Sequence, residues 1–152
     1  MNWTLFDFAF AGAMLAILSL AVWFLFKGPQ SFSYRLGVGI AVMAAIFVVV
    51  TTGAVGIIGS EDNDANLLYV GVLAFALIGA AVTRFQPRPM TWVVSATALA
   101  TASIALAAVM SGWGADGPIW PFDVLGASAI VAAMFAASAL LFRHSAGGRA
   151  AA

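Results

Sequence analysis

Five long apolar stretches divide this chain, and the charges between them alternate in sign from one segment to the next. Asp7 precedes the first stretch, and Lys27 and Arg35 follow it. Glu61, Asp62 and Asp64 separate the second from the third, and Arg84 and Arg88 the third from the fourth. Asp116 and Asp123 come before the fifth, and Arg143 and Arg149 after it. These are all six acids and all six bases. A chain that crosses a bilayer five times places alternate segments on opposite sides, so every base falls on one side and every acid on the other. Lys and Arg are retained on the cytoplasmic side during insertion, which predicts an N-terminus on the outer side and a cytoplasmic C-terminus.

The stretches span about 8–26, 36–58, 67–83, 90–111 and 124–142. A hydrocarbon core needs about 20 apolar residues in helix, so each is long enough or nearly so. They are continuously apolar and Ala-rich rather than alternating, which argues against strands. With 64% hydrophobic and only 8% charged residues in five spans, little is left over for a soluble domain. The expected fold is all-α: one membrane-embedded bundle of five transmembrane helices over residues 1–152, with a short flexible cytoplasmic tail at 144–152. The segment before the first stretch carries no base and its exit carries no small-x-small site, so a retained helix is expected rather than a cleaved signal. Trp3, Trp113, Trp120 and Phe122 fall towards the acidic side and Trp23, Phe32, Tyr34, Phe85 and Trp92 towards the basic side, where headgroups favour such rings.

Lipid tails are as apolar as Leu, so helices in a membrane associate through close packing of small residues and a few polar contacts. The second stretch ends on Gly53, Gly56 and Gly59, a spacing that predicts a helix-packing face. The fifth stacks Ala129, Ala133 and Ala137, and the fourth carries Ser95, Thr97, Thr101 and Ser103. Those hydroxyls read first as packing groups or bonds back to the helix, and second as the polar lining of a small pore.

The middle of every stretch lacks Asp, Glu, Lys, Arg and His, which proton relays and most ion-coupled transporters need. The chain has no cysteine, and its one histidine, His144, follows Arg143. Thiolate metals and haem axial ligation are therefore not expected, nor any other cofactor or metal. The bases are too few and too scattered for nucleic acid.

Polar residues concentrate in one place, the outer segment from Ser60 to Asn66. Glu61, Asp62, Asn63, Asp64 and Asn66 make it the candidate site for a partner or a cation. Asp62, Asp64 and Asn66 match the first ligand positions of an EF-hand, but Leu67 stands where glycine is required and Leu73 where the bidentate Glu belongs. A simpler reading is a cap, in which Asn63 or Asp64 starts the third helix.

The run Ala54-Val-Gly-Ile-Ile-Gly-Ser-Glu-Asp-Asn63, with Ala65-Asn-Leu-Leu-Tyr69, Gly71-Val-Leu73 and Arg84-Phe85, resembles a family of small uncharacterised bacterial polytopic membrane proteins. The opening Phe6-Asp-Phe-Ala-Phe-Ala-Gly12 and Tyr34-Arg35-Leu36 are similar as well. The likeness covers most of the chain and is clearest over 52–88. The family pattern has proline where Asp64 stands, so a rigid turn there does not carry over. The resemblance implies a bacterial inner-membrane location and brings no activity with it.

The expectation is a non-catalytic accessory or scaffold protein. Its partners would be the lipid bilayer and another membrane protein or a second copy, met through helix–helix contacts. The alternative is a small-solute channel or transporter working as a homo-oligomer around the hydroxyl-bearing fourth stretch. An enzyme is not expected, because no nucleophile–base pair accompanies the outer acids.

Overall fold

The structure is a computed structural model that describes residues 31–60 and 62–148, together with Gly12, Ala16, Ser19 and Trp23, which are helical. The first expected span, 8–26, otherwise lies outside the described residues. The described residues are all-α, and four helices are described in full: α1 Phe32–Ala54, α2 Leu67–Val82, α3 Pro87–Ser111 and α4 Phe122–Gly148. A single 3-10 turn, Asp64–Asn66, leads into α2. All four are long and apolar enough to cross a membrane once the turn is counted with α2.

Local chemistry sets the ends. Ser31 caps α1, its side chain accepting from the Tyr34 amide at 3.3 Å. Pro87 opens α3, where its missing N–H is no loss. That helix closes on Gly112, whose φ of +69° a glycine adopts freely; the amide of Trp113 reaches back to the Ala108 carbonyl at 2.9 Å.

Boundaries differ from expectation at both kinds of end: α1 begins at Phe32 rather than 36 and α3 at Pro87 rather than 90, and two C-terminal ends move as well. The helix of the second stretch stops at Ala54 instead of reaching residue 58, because Gly56 turns to φ +75° and its amide folds back to the Thr51 carbonyl at 2.9 Å. At the C-terminus, α4 continues to Gly148, so the first half of the expected flexible tail is helix. Ser145 is buried there, and its hydroxyl meets that of Ser31 at 2.8 Å.

The helices run up and down in a ring. Helix α4 packs most extensively, against α3 and α1, while α2 packs against α3 and touches α1 least. Glycines admit two close approaches. A Cβ at Gly37 would lie 3.4 Å from the Cβ of Leu141, and one at Gly79 would lie 2.7 Å from a methyl of Val93. Inside, Tyr34 stacks edge-on against Phe142 with ring centroids 5.3 Å apart, and Phe135, Val131 and Val48 are buried farther along the same two helices. Loose packing of α1 on α2 leaves an apolar cleft of about 110 Å³ bordered by Val38, Val42, Leu73, Leu77 and Phe135.

Contacts at the two ends reveal the sorting of charge. Ser31 meets Ser145, and the Tyr34 hydroxyl donates to the Phe85 carbonyl at 2.7 Å, so the start of α1, the α2–α3 turn and the end of α4 lie together. That end carries Arg35, Arg84, Arg88 and Arg143. At the opposite end the loop after α1 presses on the loop after α3, and those loops carry Asp62, Asp64 and Asp116, with Asp123 beginning α4. Among the described residues, bases and acids therefore occupy opposite ends of the bundle. Tyr34 is not an interfacial ring; it is a 2% exposed core residue whose hydroxyl holds the turn where Arg84 and Phe85 take φ of 50° and 57°. Such left-handed backbone costs roughly 1–2 kcal/mol per residue, which the bond to the Phe85 carbonyl helps to offset.

Candidate functional site

The outer segment expected to hold a site is a tightly folded loop. After Ala54 the chain turns at Gly56 and drops Ile57 and Ile58 into the top of the bundle, at 1% and 0% exposure. Their amides then lie in a closed environment and need acceptors. Asn66 supplies one: its Oδ1 accepts from both the Ile57 and the Ile58 amide at 2.9 Å. Its Nδ2 donates to the Ser60 carbonyl at 2.7 Å and more weakly to the Ile58 carbonyl at 3.4 Å. The side chain is 3% exposed, so its amide group is absorbed by the loop. Asn63 is also used internally, with Oδ1 accepting from the Ala65 amide at 3.0 Å to cap the 3-10 turn.

The remaining members of the cluster behave differently. Asp62 and Asp64 are exposed, and Glu61 lies outside the described residues. No three Asp, Glu, His or Cys among the described residues converge as a metal site would need. The loop thus divides into two structural asparagines and outward-facing acids.

A second loop completes this end. A Cβ at Gly114 would sit 2.7 Å from the Gly59 nitrogen and 3.0 Å from its Cα. Both residues have positive φ, +72° at Gly59 and +80° at Gly114. Two backbones thus cross with no side chain between them. Of the three glycines expected to form a helix-packing face, Gly53 is exposed, Gly56 ends the helix, and Gly59 packs against this second loop. Sequence reasoning missed Gly114, although the Gly112-Trp-Gly114 pair of glycines after an apolar stretch marks a turn.

The hydroxyls of α3 divide by face. Thr97 and Thr101 are 0% exposed and donate to the carbonyls four residues back, Val93 and Thr97, both at 2.9 Å. Ser103 does the same on the exposed face, to Leu99 at 2.8 Å. Thr97 and Thr101 face the interior of one bundle, so they do not line an axis between copies. Two further hydroxyls bridge helices: Tyr69 to Ser128 at 2.6 Å, and Ser138 to the Gly37 carbonyl at 2.8 Å.

No model of a protein family, no curated protein and no solved structure matches the chain.

One face of α4 is unlike the rest. Val124, Val131, Phe135 and Phe142 point inward and are buried. Gly126, Ala129, Ala133 and Ala136 lie outward on a single stripe, all exposed, and nothing lies within 4 Å of a Cβ placed on Gly126. This one stripe of the outer face carries only small residues, beside the exposed Leu125, Ile130 and Leu140.

Proposed function

We propose that this chain is a non-catalytic accessory or scaffold protein of a bacterial inner membrane, which works through helix–helix contacts with a larger membrane complex or with a second copy. The outward stripe of Gly126, Ala129, Ala133 and Ala136 carries the reading. Small residues let a second helix backbone approach closely, and in lipid such approach is a main source of association. The buried polar groups support it: Thr97, Thr101, Ser128, Ser138 and Asn66 all bond within the bundle, leaving little chemistry for turnover. Exposed Asp62, Asp64 and Asp116 at the rim offer polar contacts to the same partner.

Ala133→Leu tests the stripe. Its side chain is exposed, so the isolated bundle should keep its thermal stability. Assembly, read as the mass of the particle extracted in mild detergent, should weaken by on the order of tenfold, an overpacking effect of about 1–3 kcal/mol. An unchanged particle would mean that the stripe faces lipid only.

Orientation forms part of the proposal, with the acidic end periplasmic and the basic end cytoplasmic. The chain has no cysteine, so a single one placed at Asp116 or at Gly147 gives a clean label. On intact cells an impermeant thiol reagent should modify the first and spare the second. The reverse pattern would invert the topology.

A further inference from the structure

At the basic end, α3 and α4 part to leave a groove of about 570 Å³ on the flank of the bundle. Helix α3 contributes Arg88, Thr91, Trp92 and Ser95, a stripe at the spacing of one helix face, and α4 contributes Leu140 and Arg143. This face is turned away from the core stripe of Met90, Val94, Thr97 and Thr101. Arg88, Trp92, Leu140 and Arg143 are all exposed, Trp92 by 78% and Leu140 by 65%. Two guanidiniums thus border one groove. Every described carboxylate lies at the other end of the bundle, so none of them neutralises the pair.

We propose that this groove binds the phosphate headgroup of an anionic phospholipid of the inner leaflet. Guanidinium groups match phosphate oxygens in a fork, and the hydroxyls of Thr91 and Ser95 add neutral partners. Basic pockets between helices at the cytoplasmic face are suited to such headgroups. The walls favour a lipid over a free phosphate. Trp92 stands where rings sit at the level of the headgroups, and Leu140, with Leu99 at 71% exposure two turns beyond Trp92 on the same face of α3, continues the groove as an apolar track for an acyl chain.

The test uses the full chain in detergent, titrated with phosphatidylglycerol or phosphatidylcholine of identical acyl chains, bound lipid being counted by native mass spectrometry. The parent should retain phosphatidylglycerol on the order of tenfold better. The double variant Arg88→Gln, Arg143→Gln should lose that preference, since these two bases supply the attraction that distinguishes the anionic headgroup. The double variant Arg35→Gln, Arg84→Gln removes the same charge from the same end, outside the groove, and should behave as the parent. Equal losses in the two double variants would reduce the effect to a diffuse basic surface and overturn the site. Displacement of the bound lipid by inorganic phosphate or glycerol phosphate would assign the groove to a free phosphate and overturn the lipid. No preference in the parent would overturn both.

Discussion

Gly114→Ala should unlock the outer end of the bundle. Two penalties add at that position. The backbone sits at φ +80°, where a side chain costs roughly 1–2 kcal/mol. The new methyl would also lie 2.7 Å from the Gly59 nitrogen, 3.0 Å from the Gly59 Cα and 3.2 Å from the Ile58 carbonyl carbon. All three are backbone atoms, so no side chain can swing aside, and the loops must separate. Overpacking of that kind costs about 1–3 kcal/mol, for a total of about 3 kcal/mol. Gly112→Ala separates the two effects. Its φ is +69°, but nothing lies within 4 Å of its Cβ, so it carries the conformational penalty alone. Thermal unfolding of both variants in one detergent is the measurement. A clearly lower melting temperature for Gly114→Ala than for Gly112→Ala is expected; equal losses would mean that the loops do not press on each other.

The contrast explains why some of this protein is legible in its sequence and some is not. Charge sign and apolar length are one-dimensional. Alternation of Arg84 and Arg88 with Asp62, Asp64 and Asp116 already specifies which loops share an end, and the fold puts them there. Close packing is a property of pairs. Gly53, Gly56 and Gly59 look like a ladder only if the helix continues through them, and Gly56 is the residue that ends it. The glycines that admit a neighbour from another helix or from the facing loop are Gly37, Gly79, Gly59 and Gly114, and each is identified by what faces it: Leu141, Val93, or the other glycine. No spacing rule sees those partners. Tyr34 fails for a related reason. Near a helix end it reads as an interfacial ring, yet the Phe85 carbonyl it holds belongs to a turn 51 residues away.

The candidate site shows the same division. A dense run of acids and amides signals a loop with surplus polarity, and surplus invites a ligand. Whether a given amide is surplus depends on which backbone groups the loop buries. Once Ile57 and Ile58 enter the core, their amides claim Asn66, and two of the candidate side chains become structure.

Asn66→Ala should therefore destabilise the protein without changing any charge. Removing the side chain leaves the Ile57 and Ile58 amides without their acceptor, and the Ser60 carbonyl without a donor that stands 2.7 Å away. Each stranded buried group costs about 1–3 kcal/mol, though water entering from the loop surface would recover part of this, so a net loss of about 3 kcal/mol is expected. Asn66→Asp dissects the loss. An aspartate keeps an oxygen for the two isoleucine amides, but it turns its second oxygen towards the carbonyls of Ser60 and Ile58, acceptor against acceptor. It should fall between the parent and the alanine variant at best. Asp62→Asn alters the same loop at an exposed acid and should leave the stability within about 0.5 kcal/mol of the parent, as surface substitutions do. Thermal unfolding of the three variants beside the parent makes the comparison. Parental stability for Asn66→Ala would mean that water serves the two amides as well as Asn66 does. The loop would then be held by the Gly59–Gly114 crossing, and the Asn66 amide would again be free to meet a partner.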